Sequence, residues 1–96
     1  MPTSECRVIT PLAARYLKAL CRHWAHHLPV AYDETRGRVE FPRGIGEFRV
    51  EGPDLLVMHL ECPDLDSLSY MEKGVGDHLA RFAFREKPPI DWQRPQ

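Results

Sequence analysis

Cysteine is scarce and unpaired: Cys6, Cys21 and Cys62 make an odd count, and no two of them stand at C-x-x-C spacing. That excludes the even disulfide framework of a small secreted domain and the paired-thiolate zinc sites, and it points to reduced, buried thiols in a cytoplasmic protein. Long apolar runs are missing as well. No stretch approaches the roughly 18 residues that a membrane-crossing helix needs. The opening MPTSECRVIT lacks the basic-then-apolar order of a secretory signal, so no membrane partner is expected. Nor is there an excess of basic charge. Lysine and arginine number 13 against 14 aspartates and glutamates, a net charge of −1, which speaks against a nucleic-acid partner. The H-E-x-x-H and G-x-S-x-G signatures are absent.

What remains is the composition of one globular domain. The chain has 96 residues, 43% hydrophobic and 28% charged, a balance that opposes disorder. A domain this short buries about 60–65% of the surface that its unfolded chain exposes, so the core is thin. We expect a single domain over residues 1–96, with about 93–96 as a tail.

Periodicity then orders the elements. Cys6 to Thr10 is a short β-prone run. Thr10-Pro11 is a helix start, because the hydroxyl can accept from an orphan N–H and proline fits the first helical position. Ala13, Leu17, Leu20, Cys21, Trp24 and Leu28 then recur at spacings of three and four, which predicts a helix that ends near His27-Leu28, ahead of Pro29. Short alternating runs follow, around Val30-Tyr32, Val39-Phe41, Phe48-Val50 and Leu55-Cys62, separated by turns at 33–37, 42–46 and 52–54. This is the pattern of antiparallel hairpins. A second helix begins with Asp64 or Asp66 as its cap and carries Leu68, Met71, Val75, Leu79, Phe82 and Ala83 on one face before Pro88-Pro89 stops it. Gly74 and Gly76 interrupt it, for close packing or a mild kink; lying inside a helix, their G-x-G spelling is not a phosphate loop. Ile90-Asp91-Trp92 adds a short edge strand. The fold class expected is α+β: an antiparallel sheet of four to six strands in the order β-α-β-β-β-β-α, with a final short strand, and both helices on its apolar face. By fold-level analogy this order resembles the TATA-box-binding-protein-like or helix-grip arrangements, which often hold a small ligand between sheet and helix.

Histidine is the residue type most suggestive of chemistry. His23, His26 and His27 cluster at the end of the first helix. His23 and His27 are four apart, so that one helical face would present both imidazoles to a metal, with His78 or a carboxylate from another element completing the site. The competing reading is that these rings simply favour the negative end of the helix dipole. His78, Arg81 and Arg85 form a second cluster at helical spacing, suited to gripping the paired oxygens of a small anionic ligand. Its competitor is a solvated cationic helix end. Cys21 and Cys62 fall on core faces, where a thiol is inert. Ser67 and Ser69 stand in a first helical turn, and no residue set forms a catalytic acid–base constellation.

Several of these pieces, taken together, resemble the bacterial domain-of-unknown-function 2218 family: Arg15-Tyr16-Leu17, Leu20-Cys21, His23 and His26-His27, then Val39-Glu40-Phe41-Pro42, then His78-Leu79, Arg81-Phe82-Ala83 and Arg85-Glu86, and finally Trp92. The resemblance spans almost the whole chain, with one departure, glycine at position 74 where a bulkier residue is expected. It implies a small bacterial protein of unassigned activity, with some relatives near or fused to siderophore-interacting reductases. The leading functional reading is therefore a non-enzymatic binding or accessory module linked to iron or siderophore handling, its cofactor unspecified. The alternatives are a metal-dependent enzyme built on His23, His27 and His78, and a homodimeric structural protein pairing through a sheet edge or the Leu55-Val57-His59 face. An aldolase label carried by some relatives is set aside, since no Schiff-base lysine setting or complete metal triad is present.

Overall fold

A computed structural model describes residues 1–95. In chain order the elements are β1 (Thr3–Ile9), α1 (Ala13–Ala25), β2 (Val30–Tyr32), β3 (Arg36–Phe41), β4 (Gly44–Glu51), β5 (Leu55–Glu61), α2 (Leu65–Phe82) and β6 (Trp92–Gln93). The six strands form one antiparallel sheet in the order β2-β3-β4-β5-β1-β6. The fold is therefore the expected α+β arrangement, with six strands and the final short one present.

Register explains which face is covered. Gly37, Phe48, Met58, Cys6 and Trp92 line up across five strands, and Val39, Gly46, Leu60 and Ser4 form the next row. Because side chains alternate along each strand, these rows share one face, and both helices pack on it. Cys6, Val8, Val39, Phe48, Leu56, Met58 and Leu60 join Leu17, Leu20, Cys21 and Trp24 of α1 and Leu68, Met71, Val75 and Leu79 of α2 in a single buried core. The absence of a side chain at Gly37 lets α1 approach so closely that a β-carbon there would stand 2.5 Å from Cys21 Sγ. Burial raises all three thiols, Cys21 to about 11, and all three are free, so they act as small apolar groups.

The opposite face is charged. Arg38 pairs with Glu47, Arg7 with Glu5 and Glu51, and Arg49 with Glu51. Val57 is nevertheless fully buried on this face, between Arg7 and Arg49 in register, whose aliphatic stems flank it.

Several boundaries differ from expectation. Thr10 is not the cap of α1. The helix starts after Leu12, whose N–H donates to Thr10 Oγ1, and that hydroxyl donates in turn to the Glu86 carboxylate. Tyr16 OH donates to the same carboxylate. Thus the segment after α2 is tied to the beginning of α1. At its other end α1 stops at Ala25, with His26 as the C-cap and the N–H groups of His27 and Leu28 both donating to the Trp24 carbonyl. The second helix is capped as predicted by Asp64, which accepts from Ser67 N–H at 2.7 Å and is thereby held below the usual carboxylate range. It ends at Phe82, however, and 83–87 form a turn closed by Glu86 and Lys87 N–H groups donating to the Ala83 carbonyl. Within the expected tail, Gln93 and Arg94 make defined contacts. Gln93 pairs with Glu5 in the sheet, and Arg94 grips Glu72 and Ser69 on α2; the remaining tail residue, Gln96, lies outside the described residues. Gly76 faces this strap, with Trp92 and Ile90 both 3.4 Å from where its β-carbon would sit, and Trp92 Nε1 is buried there without a partner among the described residues.

Candidate functional site

Two concave regions stand out. One, of about 460 Å³, lies at the β2–β4 edge among Arg36, Arg38 and Arg49, but Arg38 and Arg49 are already occupied by Glu47 and Glu51. The other, of about 410 Å³, lies between the end of α1, the β3–β4 turn and the middle of α2. Trp24 and Leu28 form one wall, Phe41 and Pro42 a second, and Met71, Gly74, Val75 and His78 the third. Apolar walls with a few convergent polar groups are what small-ligand sites have in common, and the volume falls in their usual range of about 300–1,000 Å³.

The walls are set by aromatic packing. The Trp24 indole, 7% exposed, meets Phe41 edge-on at 4.9 Å and 82°, and lies 5.4 Å from Phe48 and 5.6 Å from His78. Such geometry stabilises a fixed ring position. Gly74 contributes by omission: a β-carbon there would meet nothing within 4 Å. The glycine that interrupts α2 thus borders open space, whereas Gly76 two residues on serves close packing. Also lining the cavity, the Arg43 guanidinium sits 4.4 Å above the Tyr70 ring and links the β3–β4 turn to α2. Lys73 and Asp77, which line it too, pair with each other at 3.1 Å.

The polar end of the cavity is histidine. His78 Nδ1 lies 2.8 Å from the Gly74 carbonyl. A carbonyl only accepts, so Nδ1 carries a proton, and in the neutral ring the lone pair then belongs to Nε2. The His23 ring is 5.0 Å from that of His78 and 6.2 Å from Phe82, which it meets edge-on. Loss of solvent around the ring, followed by the nearby His78, His26, Arg81 and His27, holds His23 below its ordinary value.

The candidate residues from sequence are therefore regrouped. His23 and His78 come together across the two helices. Arg81 lies close enough to His23 for its charge to act there. His27 lies beyond the end of α1, and its ring neighbours His26 at 6.4 Å. Arg85 sits in the turn after α2 with its guanidinium 5.6 Å from the Phe84 ring, outside the cavity and off the helical face of Arg81. Among the described residues no group of three or more His, Cys, Asp and Glu side chains is placed to hold a metal ion, and the three-imidazole convergence required by the metal-enzyme reading does not form. Sequence reasoning reads Trp24 and Phe82 as core, with ligand stacking well behind, and does not single out Phe41, Tyr70 or Arg43 as site residues. The one signal available was a glycine in mid-helix opposite a tryptophan.

Comparison with known proteins agrees with this picture at the level of family and fold. A bacterial family described as "Uncharacterized protein conserved in bacteria (DUF2218)" matches residues 5–93. The chain is 41% identical to the protein in the NMR structure of PA4090 from Pseudomonas aeruginosa, with a TM-score of 0.80 over 97% of this chain and 96% of that one. No curated protein matches. No helix among the described residues is long and apolar enough to cross a membrane.

Proposed function

The chain belongs to the conserved bacterial family of domain-of-unknown-function 2218, and from that premise we propose that it is a binding module for a small amphipathic ligand, held by the cavity between the helices and the β3–β4 turn. The observation that carries this reading is the conjunction at one place of a fixed aromatic wall, unfilled space beside Gly74 and an imidazole whose free nitrogen is set by a backbone hydrogen bond. The flat apolar body of the ligand rests against Trp24 and Phe41. Its anionic head is met by His78, with His23 and Arg81 beside that ring but behind the cavity wall, and the Arg43–Tyr70 pair borders it. Arg85 contributes at most a distant charge. Within this ligand class, the siderophore association of the family resemblance makes aromatic compounds with paired oxygens, of the catecholate type, the first to try.

The test is titration of Trp24 fluorescence in a Trp92→Phe background with a panel of aromatic carboxylates, catecholates and ferric catecholate complexes. Saturable quenching is expected, and it should vanish in Gly74→Leu, which sends a branched side chain into the space where a β-carbon meets nothing within 4 Å. Unchanged ligand binding in a well-folded Gly74→Leu variant, or no saturable response to any member of the panel, removes the proposal.

A further inference from the structure

We propose that His23 and His78 form a two-imidazole site for a borderline transition-metal ion, of the Cu²⁺, Ni²⁺ or Zn²⁺ class, with its remaining positions open toward the cavity. This goes beyond the ligand reading and does not depend on it, since the ion needs only the two rings.

Three features support it. The first is spacing. With a metal–nitrogen distance of about 2.0–2.1 Å and a ring centre about 1.1 Å behind the nitrogen, two imidazoles sharing a tetrahedral ion have centres about 5 Å apart. The His23 and His78 centres are 5.0 Å apart with planes inclined at 45°, which is not the parallel offset of simple ring stacking. The second is the arrangement behind the ring. Ligating histidines usually give their other N–H to a carbonyl or carboxylate, which fixes the tautomer and presents the free nitrogen. His78 Nδ1 does this with the Gly74 carbonyl at 2.8 Å. The third is location: the two rings come from different helices whose mutual position is set by a buried core, so the pair is preorganised rather than collected from a flexible segment.

The residue types select the ion. Neutral imidazoles suit copper, nickel and zinc, whereas calcium and magnesium require oxygen ligands, which the described residues do not gather here. With no third side-chain ligand of that kind, affinity falls well short of a structural zinc site, and exogenous oxygen or nitrogen donors complete the coordination.

The experiment is titration of the full chain with Cu²⁺, Ni²⁺ and Zn²⁺, followed by calorimetry and by the nitrogen shifts of the histidine side chains. One equivalent should bind, perturbing His23 and His78 together. Cu²⁺ should also quench Trp24, whose ring is 5.6 Å from His78. His23→Gln and His78→Gln should each weaken binding at least about tenfold, the lower bound for losing even a supporting partner. His26→Gln and His27→Gln should leave it unchanged. His23 is exposed, so its variant reports on the site even where His78→Gln disturbs α2. Binding that survives His23→Gln but is lost in His26→Gln or His27→Gln assigns the metal to the end of α1 and overturns the proposal, as does the absence of stoichiometric binding. Gly74→Leu separates the two readings, because it should abolish ligand quenching while preserving the metal-induced histidine shifts.

Discussion

Where α1 begins, Thr10 and Tyr16 are buried and both hydroxyls donate to Glu86; where it ends, the His23 and His78 rings face one another across a seam that opens into unfilled space. Both places join α1 to the end of α2 or the turn beyond it, and both hold titratable groups of the two elements in contact. They differ in what the polar atoms have left to do. At the Tyr16 end the hydroxyls are matched by a carboxylate and the segment after α2 is pinned. At the His23 end a nitrogen lone pair remains uncommitted beside apolar walls. A satisfied, partly buried network contributes stability and specifies the chain path, whereas an open one with space beside it is suited to a ligand.

The largest expected difference between the two ends lies at alkaline pH. Burial, then the Glu86 carboxylate, pushes Tyr16 up to about 12. The unfolded chain therefore releases this proton first, and the stability it contributes is complete below about pH 10 and lost as pH rises toward 12, a loss on the order of 2–3 kcal/mol. Tyr16→Phe should flatten this limb of the denaturation profile; a limb that persists undiminished would show that the Glu86 network does not anchor the fold. A smaller effect is expected at Gly74. Gly74→Ala should stabilise the protein by about 0.8–1 kcal/mol, because alanine is the better helix former and its methyl group enters open space. Gly76→Ala, facing Trp92 and Ile90, should gain less. Equal melting-temperature shifts for the two would contradict the cavity. The smallest effect belongs to His23. Its folded value lies below the ordinary one, so the unfolded state takes up a proton first as pH falls. Stability should decline below about pH 6.5, and His23→Gln should remove part of that acid limb without touching the alkaline one.

The layout was largely legible in the sequence. Alternation at Val39-Phe41, Phe48-Val50 and Leu56-Cys62 placed the inward rows correctly, because a sheet with one buried face has little freedom of register. Spacings of three and four found the buried stripes of both helices, and Asp64 marked the start of the second. Helix ends were less legible. Thr10 has the chemistry of a cap, but Glu86, 76 positions away, takes its proton, and a local rule cannot see such a partner. Likewise spacing alone pairs His23 with His27, but the helix stops at Ala25 and the ring that His23 meets at 5.0 Å is His78 of α2. Arg81 and Arg85 were divided for the same reason, by the turn after Phe82.

Local composition and period thus determined what this chain could decide residue by residue: two amphipathic helices, an antiparallel sheet greasy on one side and charged on the other, three inert thiols. Only the packed structure decided which imidazoles meet and where space remains. Secondary structure follows from neighbours within a few positions. A site between two helices depends on how far each runs and how closely they approach, and here those were settled by Gly37 beneath α1, by Trp24 against Phe41 and by Glu86 reaching back to Tyr16.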